Sequence, residues 1–265
     1  MPEKDAVAEA VRIAKEASER KITLKLFGGI AFSLRAPSAQ YSRLKRNYTD
    51  IDFMGLRNQR KQIAELFTSL GYTPRTTFNA MNGDLRLIFN DIENGRRVDI
   101  FLNVFEMCHK FDFTDRMKLD DMTLPLADLL LTKLQVYEIT EREYKDMIAF
   151  LHDHKLADVD DRNAINQKYI AKLCSNDWGL WKTVNLNLER IWEAVPTYVP
   201  THQEAVKTKI TQLRKKIDDE PKSFSWKMRA RVGDRVKWYE LPEADREVVD
   251  SRPVDEKTAD VRASK

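Results

Sequence analysis

The 265-residue sequence predicts an α+β protein, with a sheet and flanking helices over residues 1–155 and a mainly helical region over 156–250. Three observations carry that expectation. A short apolar run, Leu24 to Phe27, leads straight into Gly28 and Gly29 and then into small apolar residues that open a helix. Further segments at 49–53 and between 72 and 103 have strand character, and the later ones are separated by the hairpin signals Asn82-Gly83 and Asn94-Gly95. From Leu126 onward, apolar residues recur at helical spacing.

Taken in order, Val7, Val11, Ala14 and Ala17 sit at helical spacing, which predicts an amphipathic first helix over 4–19. The strand Leu24–Phe27 follows, and the glycine pair after it lets the backbone approach a ligand closely, because no Cβ intervenes. A helix that starts there offers free N–H groups and a positive dipole end, which suit phosphate. In Thr49-Asp50-Ile51-Asp52-Phe53, alternation places Asp50 and Asp52 on one face and Ile51 and Phe53 on the other. Two carboxylates side by side are unfavourable unless a cation lies between them, and hard oxygen ligands suit Mg²⁺.

Ile63, Leu66, Phe67 and Leu70 then mark a helix stopped by Gly71. Strands are expected at Tyr72–Phe78, Asp84–Asn90 and Arg96–Asn103. In the last of these Asp99 alternates against Val98 and Ile100, a lone acid in an apolar run that needs a reason unless it is solvated. Leu126, Leu129, Leu130, Leu134 and Tyr137 form a helical stripe with Lys133 in its middle, which either snorkels or meets a phosphate. The next helix, Glu141–His152, carries Asp146 opposite its apolar stripe of Tyr144, Met147, Ile148 and Leu151, which leaves both a solvated and a functional reading open. His152 and His154 around Asp153 read as a polar helix end.

Beyond the charged stretch 157–162, one helix is marked by Trp181, Val184, Leu188, Ile191 and Val195 and ends at Pro196. A second is marked by Val206, Ile210, Leu213 and Ile217 and closes at Pro221. Phe224 to Val232 alternates with period two, and Gly233-Asp234 turns it into Val236–Tyr239. That hairpin would present Lys227, Arg229, Arg231 and Lys237 on one face, either solvated or holding nucleic acid. Residues 251–265 are polar and expected to be disordered.

A formal net charge of +3 does not by itself nominate nucleic acid. No apolar run approaches the roughly 18 residues of a membrane helix, and the first residues, MPEKDAVAEA, lack a signal-peptide pattern. Cys108 and Cys174 are far apart and fit free thiols of a reducing cytoplasm.

An apolar residue, Gly28-Gly29, a gap, Asp50-x-Asp52 on a strand and Asp99 on a later strand together resemble the signature of the nucleotidyltransferase superfamily. The likeness is nearest to the minimal AbiEii-type toxin group, in which an Arg stands four residues before the first Asp, as Arg46 does here. The gap from Ile30 to Thr49 is longer than usual, which suggests an inserted loop over 37–43 near the substrate side. Tyr48 stands where Ser or Thr is common. The resemblance implies a DNA polymerase beta-like mixed sheet and a nucleoside triphosphate as substrate. It also implies two Mg²⁺ ions on Asp50, Asp52 and Asp99, with Asp99 helping to deprotonate the acceptor. Gly28, Gly29, Arg46 and Lys133 would bind the triphosphate, and Lys145-Asp146 is similar to the group's Lys-Asp pair.

The expected reaction is transfer of a nucleoside monophosphate to an acceptor hydroxyl on tRNA or a protein, with an antitoxin as a further partner and no membrane. Modification of a small molecule of aminoglycoside type is one alternative. A nucleotide- or nucleic-acid-binding protein that keeps the fold without turnover is another.

Overall fold

A computed structural model describes residues 2–241. The predicted tail at 251–265, and the end of the region before it, lie outside the described residues. Helix α1 (Ala6–Glu19) is capped by Asp5, whose carboxylate accepts from the Ala8 N–H at 2.7 Å. Its buried face is Glu9, Ala10, Ile13, Ala14 and Ala17, rotated from the valine-led stripe because Val7 and Val11 are only partly covered. Strand β1 (Leu24–Phe27) runs into helix α2 (Gly28–Arg35), and after the intervening loop the chain forms strand β2 (Asp50–Gly55). Helix α3 (Arg60–Ser69) is followed by Gly71 in the left-handed region at φ +90°.

The expected strand over 72–78 is the first correction. Only β3 (Thr73–Pro74) is extended, and helix α4 (Thr76–Asn82) takes the rest. Asn79 on α4 explains the change: its side-chain amide donates to the Ile88 carbonyl at 3.0 Å and accepts from the Ile88 N–H at 2.8 Å. The helix thereby supplies the hydrogen bonds a neighbouring strand would have made. Asn82-Gly83 accordingly ends a helix and does not turn a hairpin. Asn94-Gly95 does turn one, between β4 (Arg86–Asp91) and β5 (Arg96–Leu102), with Gly95 at φ +63°.

The five strands form a mixed sheet in the order β1-β2-β5-β4-β3, in which only the central pair β2–β5 is parallel. Alternation divides the faces. Ile51, Phe53, Val98, Ile100 and Phe89 are buried on one face, where Phe67 of α3 stacks on Phe89 with ring centroids 4.9 Å apart. The other face is apolar at one end, where Phe27, Phe101 and Phe105 meet edge to face, and acidic at the other, where Asp50, Asp52 and Asp99 stand. Phe105 belongs to the short hairpin β6 (Val104–Glu106) and β7 (Lys110–Asp112), whose three-residue strands gave no pattern to read.

The remaining helices are α5 (Leu126–Leu134), α6 (Glu141–Asp153), α7 (Gln167–Asn176), α8 (Trp178–Tyr198), α9 (Gln203–Asp219) and α10 (Phe224–Val232), with β8 (Lys155–Ala157) and β9 (Ala164–Asn166) paired in parallel between α6 and α7. A capping box starts α6: the Thr140 N–H donates to Glu143 Oε2 at 3.0 Å, while the Thr140 hydroxyl accepts from the Arg142 N–H. Pro196 lies inside the last turn of α8 and does not end it. All four residues of the predicted α9 stripe, Val206, Ile210, Leu213 and Ile217, are buried. The hydrophobic cluster is continuous from α1 to α9, so the helical second half is packed on the sheet-bearing first half.

The second correction is α10, expected as a strand. Ser223 caps it by accepting from the Trp226 N–H at 3.2 Å, and Gly233 ends it at φ +60°. The predicted basic sheet face therefore does not form. Lys227 and Arg231 stay exposed one helical turn apart, whereas Arg229 lies over the Trp178 ring at 4.6 Å and donates to the carbonyls of Gly233 and Val236 at 2.7 Å each. Among the described residues, no helix is long and apolar enough to cross a membrane.

Candidate active site

The strand–glycine–helix unit forms as its sequence suggests, and its consequence is steric. Gly28 sits at φ +67°, and a Cβ built on it would fall 2.1 Å from Asp52 Oδ2. On Gly29 a Cβ would fall 2.1 Å from an Arg46 guanidinium nitrogen and 3.0 Å from the Tyr48 ring. The two glycines are thus the places where an acid and a base close on the backbone. Phe27, which precedes the helix, gives α2 no side-chain cap.

We expect Gly28→Ala to cost roughly 1–3 kcal/mol through its left-handed φ and the contact with Asp52. Gly95→Ala, where φ is +63° and nothing lies within 4 Å, carries only the backbone part of that cost. Thermal melts of the two variants separate the terms, and equal losses would show that the Asp52 contact is easily relieved.

The β2–β5 register sets Asp52 beside Asp99 and Asp50 beside Arg97. Asp50 is exposed and Asp52 partly buried. Burial pushes the Asp52 carboxyl up to about 7, and the neighbouring charges of Asp99 and Asp50 push in the same direction. Lys133 and Arg86 oppose the shift from a distance. Asp99 is almost wholly buried and well supplied with positive charge: Arg86 Nε and Nη2 approach its Oδ1 at 2.9 and 2.7 Å, and Arg97 Nε approaches its Oδ2 at 2.7 Å.

Arg46 and Lys133 come together on Asp146. Arg46 Nε and Nη2 donate to the two Asp146 oxygens at 2.8 and 2.7 Å, and Lys133 Nζ lies 3.3 Å from Asp146 Oδ2 and 3.2 Å from Glu143 Oε1. Asp146 is thus buried, at 3% exposure, and does not lie on a solvated face. Lys133 is held by carboxylates on the next helix and not by snorkelling to a helix end. Arg46 stacks on Tyr48, with its guanidinium carbon 4.4 Å from the ring centroid.

The 37–43 loop packs on α6, where the Ser38 N–H donates to Asp153 Oδ2 at 2.8 Å. Its Gln40 helps line a cleft of about 490 Å³ that also touches Arg46, Tyr48 and Thr49. His152 donates through Nδ1–H to Asp153 Oδ1 at 2.6 Å, consistent with a polar helix end.

No protein-family model matches the chain, and no curated protein matches it. The site's chemistry therefore rests on its own residues. Among the described residues, no group of three or more His, Cys, Asp or Glu side chains has the arrangement of a metal site. The Asp50–Asp52 pair offers hard oxygen donors of the kind a divalent cation takes, and a cation there would offset the burial and acidic neighbours that disfavour the Asp52 carboxylate. Asp99 suits one less well, because both its oxygens already meet arginines.

Arg86 and Arg97 were not foreseen as part of the site. Arg97 was legible, because it stands two residues before Asp99 on the same strand and so shares its face. Arg86 needed the β4–β5 register, which sets Ile88 opposite Asp99.

Proposed function

We propose that the protein is a nucleotidyltransferase that moves a nucleoside monophosphate from a nucleoside triphosphate to an acceptor hydroxyl. The observation that carries this reading is that the Asp52 carboxylate lies against Gly28, where no Cβ would fit, so that the start of α2 and the acidic strand meet at one point. The N–H groups at the start of α2 would take phosphate oxygens, and Arg46 and Lys133 would offset their charge. Asp50 and Asp52 would hold Mg²⁺, which when bound supplies Lewis-acid stabilisation of the phosphoryl charge. The acceptor hydroxyl attacks the α-phosphorus, a new P–O bond forms, and pyrophosphate leaves with the electrons of the broken bond. The hydroxyl proton passes to a carboxylate of the acidic face, of which Asp50 is the exposed member.

The test is label transfer from each of the four α-³²P nucleoside triphosphates, with bulk tRNA, a protein mixture and an aminoglycoside as acceptors. We expect Mg²⁺-dependent label on one acceptor class, with pyrophosphate released in equal amount. Nucleoside triphosphate binding without pyrophosphate release across the whole panel would make this a binding protein instead.

A further inference from the structure

The acids of the candidate site are unequally provided for, and the inequality bears on how many cations the site takes. Asp52 and Asp99 are register partners on adjacent strands and share a sheet face. Asp99 is 1% exposed, and its two oxygens are divided between two arginines. Arg86 is held in turn by aromatic faces, its guanidinium carbon lying 4.7 Å from the Phe101 centroid and 5.9 Å from that of Phe78. A cation on Asp99 would have to displace guanidinium groups from both oxygens of a carboxylate that is almost wholly buried, which is unfavourable for a buried pair. Among the described residues, no arginine or lysine contacts Asp52 in this way. Lys133, which favours its charged form from a distance, is itself spent on Glu143 and Asp146.

We propose that the site takes a single divalent cation, on Asp50 and Asp52, and that Arg86 and Arg97 supply at Asp99 the positive charge a second cation would bring. The inference rests on the nucleotidyl-transfer reading and narrows it. Arg86 is the fixed member. Arg97 is the accessible one: its side chain is 46% exposed and it stands opposite Asp50 in register, so it can reach an anionic phosphate oxygen while remaining beside Asp99. Charge is then arranged along β2 and β5 so that the cation side and the guanidinium side flank the same short strip of sheet. Asp99 acts as a positioning residue for two arginines.

The experiment counts bound Mn²⁺, a paramagnetic stand-in for Mg²⁺, by electron paramagnetic resonance of the free ion. The full chain is titrated without nucleotide, and again with α,β-methylene-ATP after subtracting the ion carried by the analogue. We expect one Mn²⁺ per chain in the parent, lost in Asp52→Asn and retained in Asp99→Asn. Arg86→Met, which frees an Asp99 oxygen, should admit a second ion, and it decides the matter if Asp99→Asn does not fold by circular dichroism. Two ions in the parent, a loss of affinity in Asp99→Asn on the roughly 10–100-fold scale of a ligand-supporting residue, or a count of one in Arg86→Met would each overturn the proposal. Absence of bound Mn²⁺ in the parent under both conditions would overturn the nucleotidyl-transfer reading as well, so the two failures are told apart.

Discussion

Asp52→Asn is expected to abolish nucleotide transfer while making the protein more stable at pH 8. The activity loss follows from removing a carboxylate that would hold the cation, and a fall of at least about 10²-fold is expected for an electrostatic contact at the reacting group. The stability gain follows from the raised titration of Asp52, pushed up to about 7 from an ordinary value of 3.8 by burial first and by Asp99 and Asp50 after it. An acid whose folded-state value is raised costs stability when ionised. That cost is fully present above pH 7, shrinks as pH falls through 7 and is gone below about 4. The gap between the two values sets an upper bound of about 4 kcal/mol.

Denaturant melts of parent and variant should therefore diverge at pH 8 and converge by pH 4. Mg²⁺ should raise the melting temperature of the parent and leave the variant unmoved. A variant no more stable than the parent at pH 8 would mean that Asp52 is already compensated, and the cation site would lose its electrostatic basis.

The second large effect is expected at Asp146. Asp146→Ala removes the bidentate partner of Arg46 and one of the two carboxylates on Lys133, leaving partly buried charge uncompensated. Breaking a buried pair from one side costs about 3–5 kcal/mol. Arg46→Met in the same chain should recover much of that loss, because the stranded charge goes with it. Nucleoside triphosphate affinity should fall in Asp146→Ala as Arg46 leaves its place against Gly29. A loss below about 1 kcal/mol would place the pair among exposed ion pairs, whose worth is of that order.

The parts of the site that were legible in the sequence are those set by local chemistry. A two-residue repeat is enough to put Asp50 and Asp52 on one face, and a glycine pair between strand and helix needs no long-range information. Asp146 was ambiguous because a helical wheel assumes one buried side. Helix α6 packs against α2 and α5 as well as α8 and α9, so a residue opposite the main stripe is buried too. Alternation misled at α10 because nine residues of mixed polarity satisfy both periods, and only the Ser223 cap and the want of a neighbouring strand decide between them. At Thr76–Asn82 strand propensity gave way to a single asparagine that satisfies the backbone across from it.

The sheet's edges carry one more consequence. On the outer side of β1, the Leu26 N–H donates to the Met122 carbonyl at 2.8 Å and the Leu26 carbonyl accepts from the Leu124 N–H at 3.0 Å. The loop before α5 thus occupies the place where another strand would add. The opposite edge, β3, is two residues long and contains Pro74, which has no N–H to offer. Among the described residues, both borders of this sheet are thus blunted, which works against edge-to-edge addition of a strand from another copy at either one.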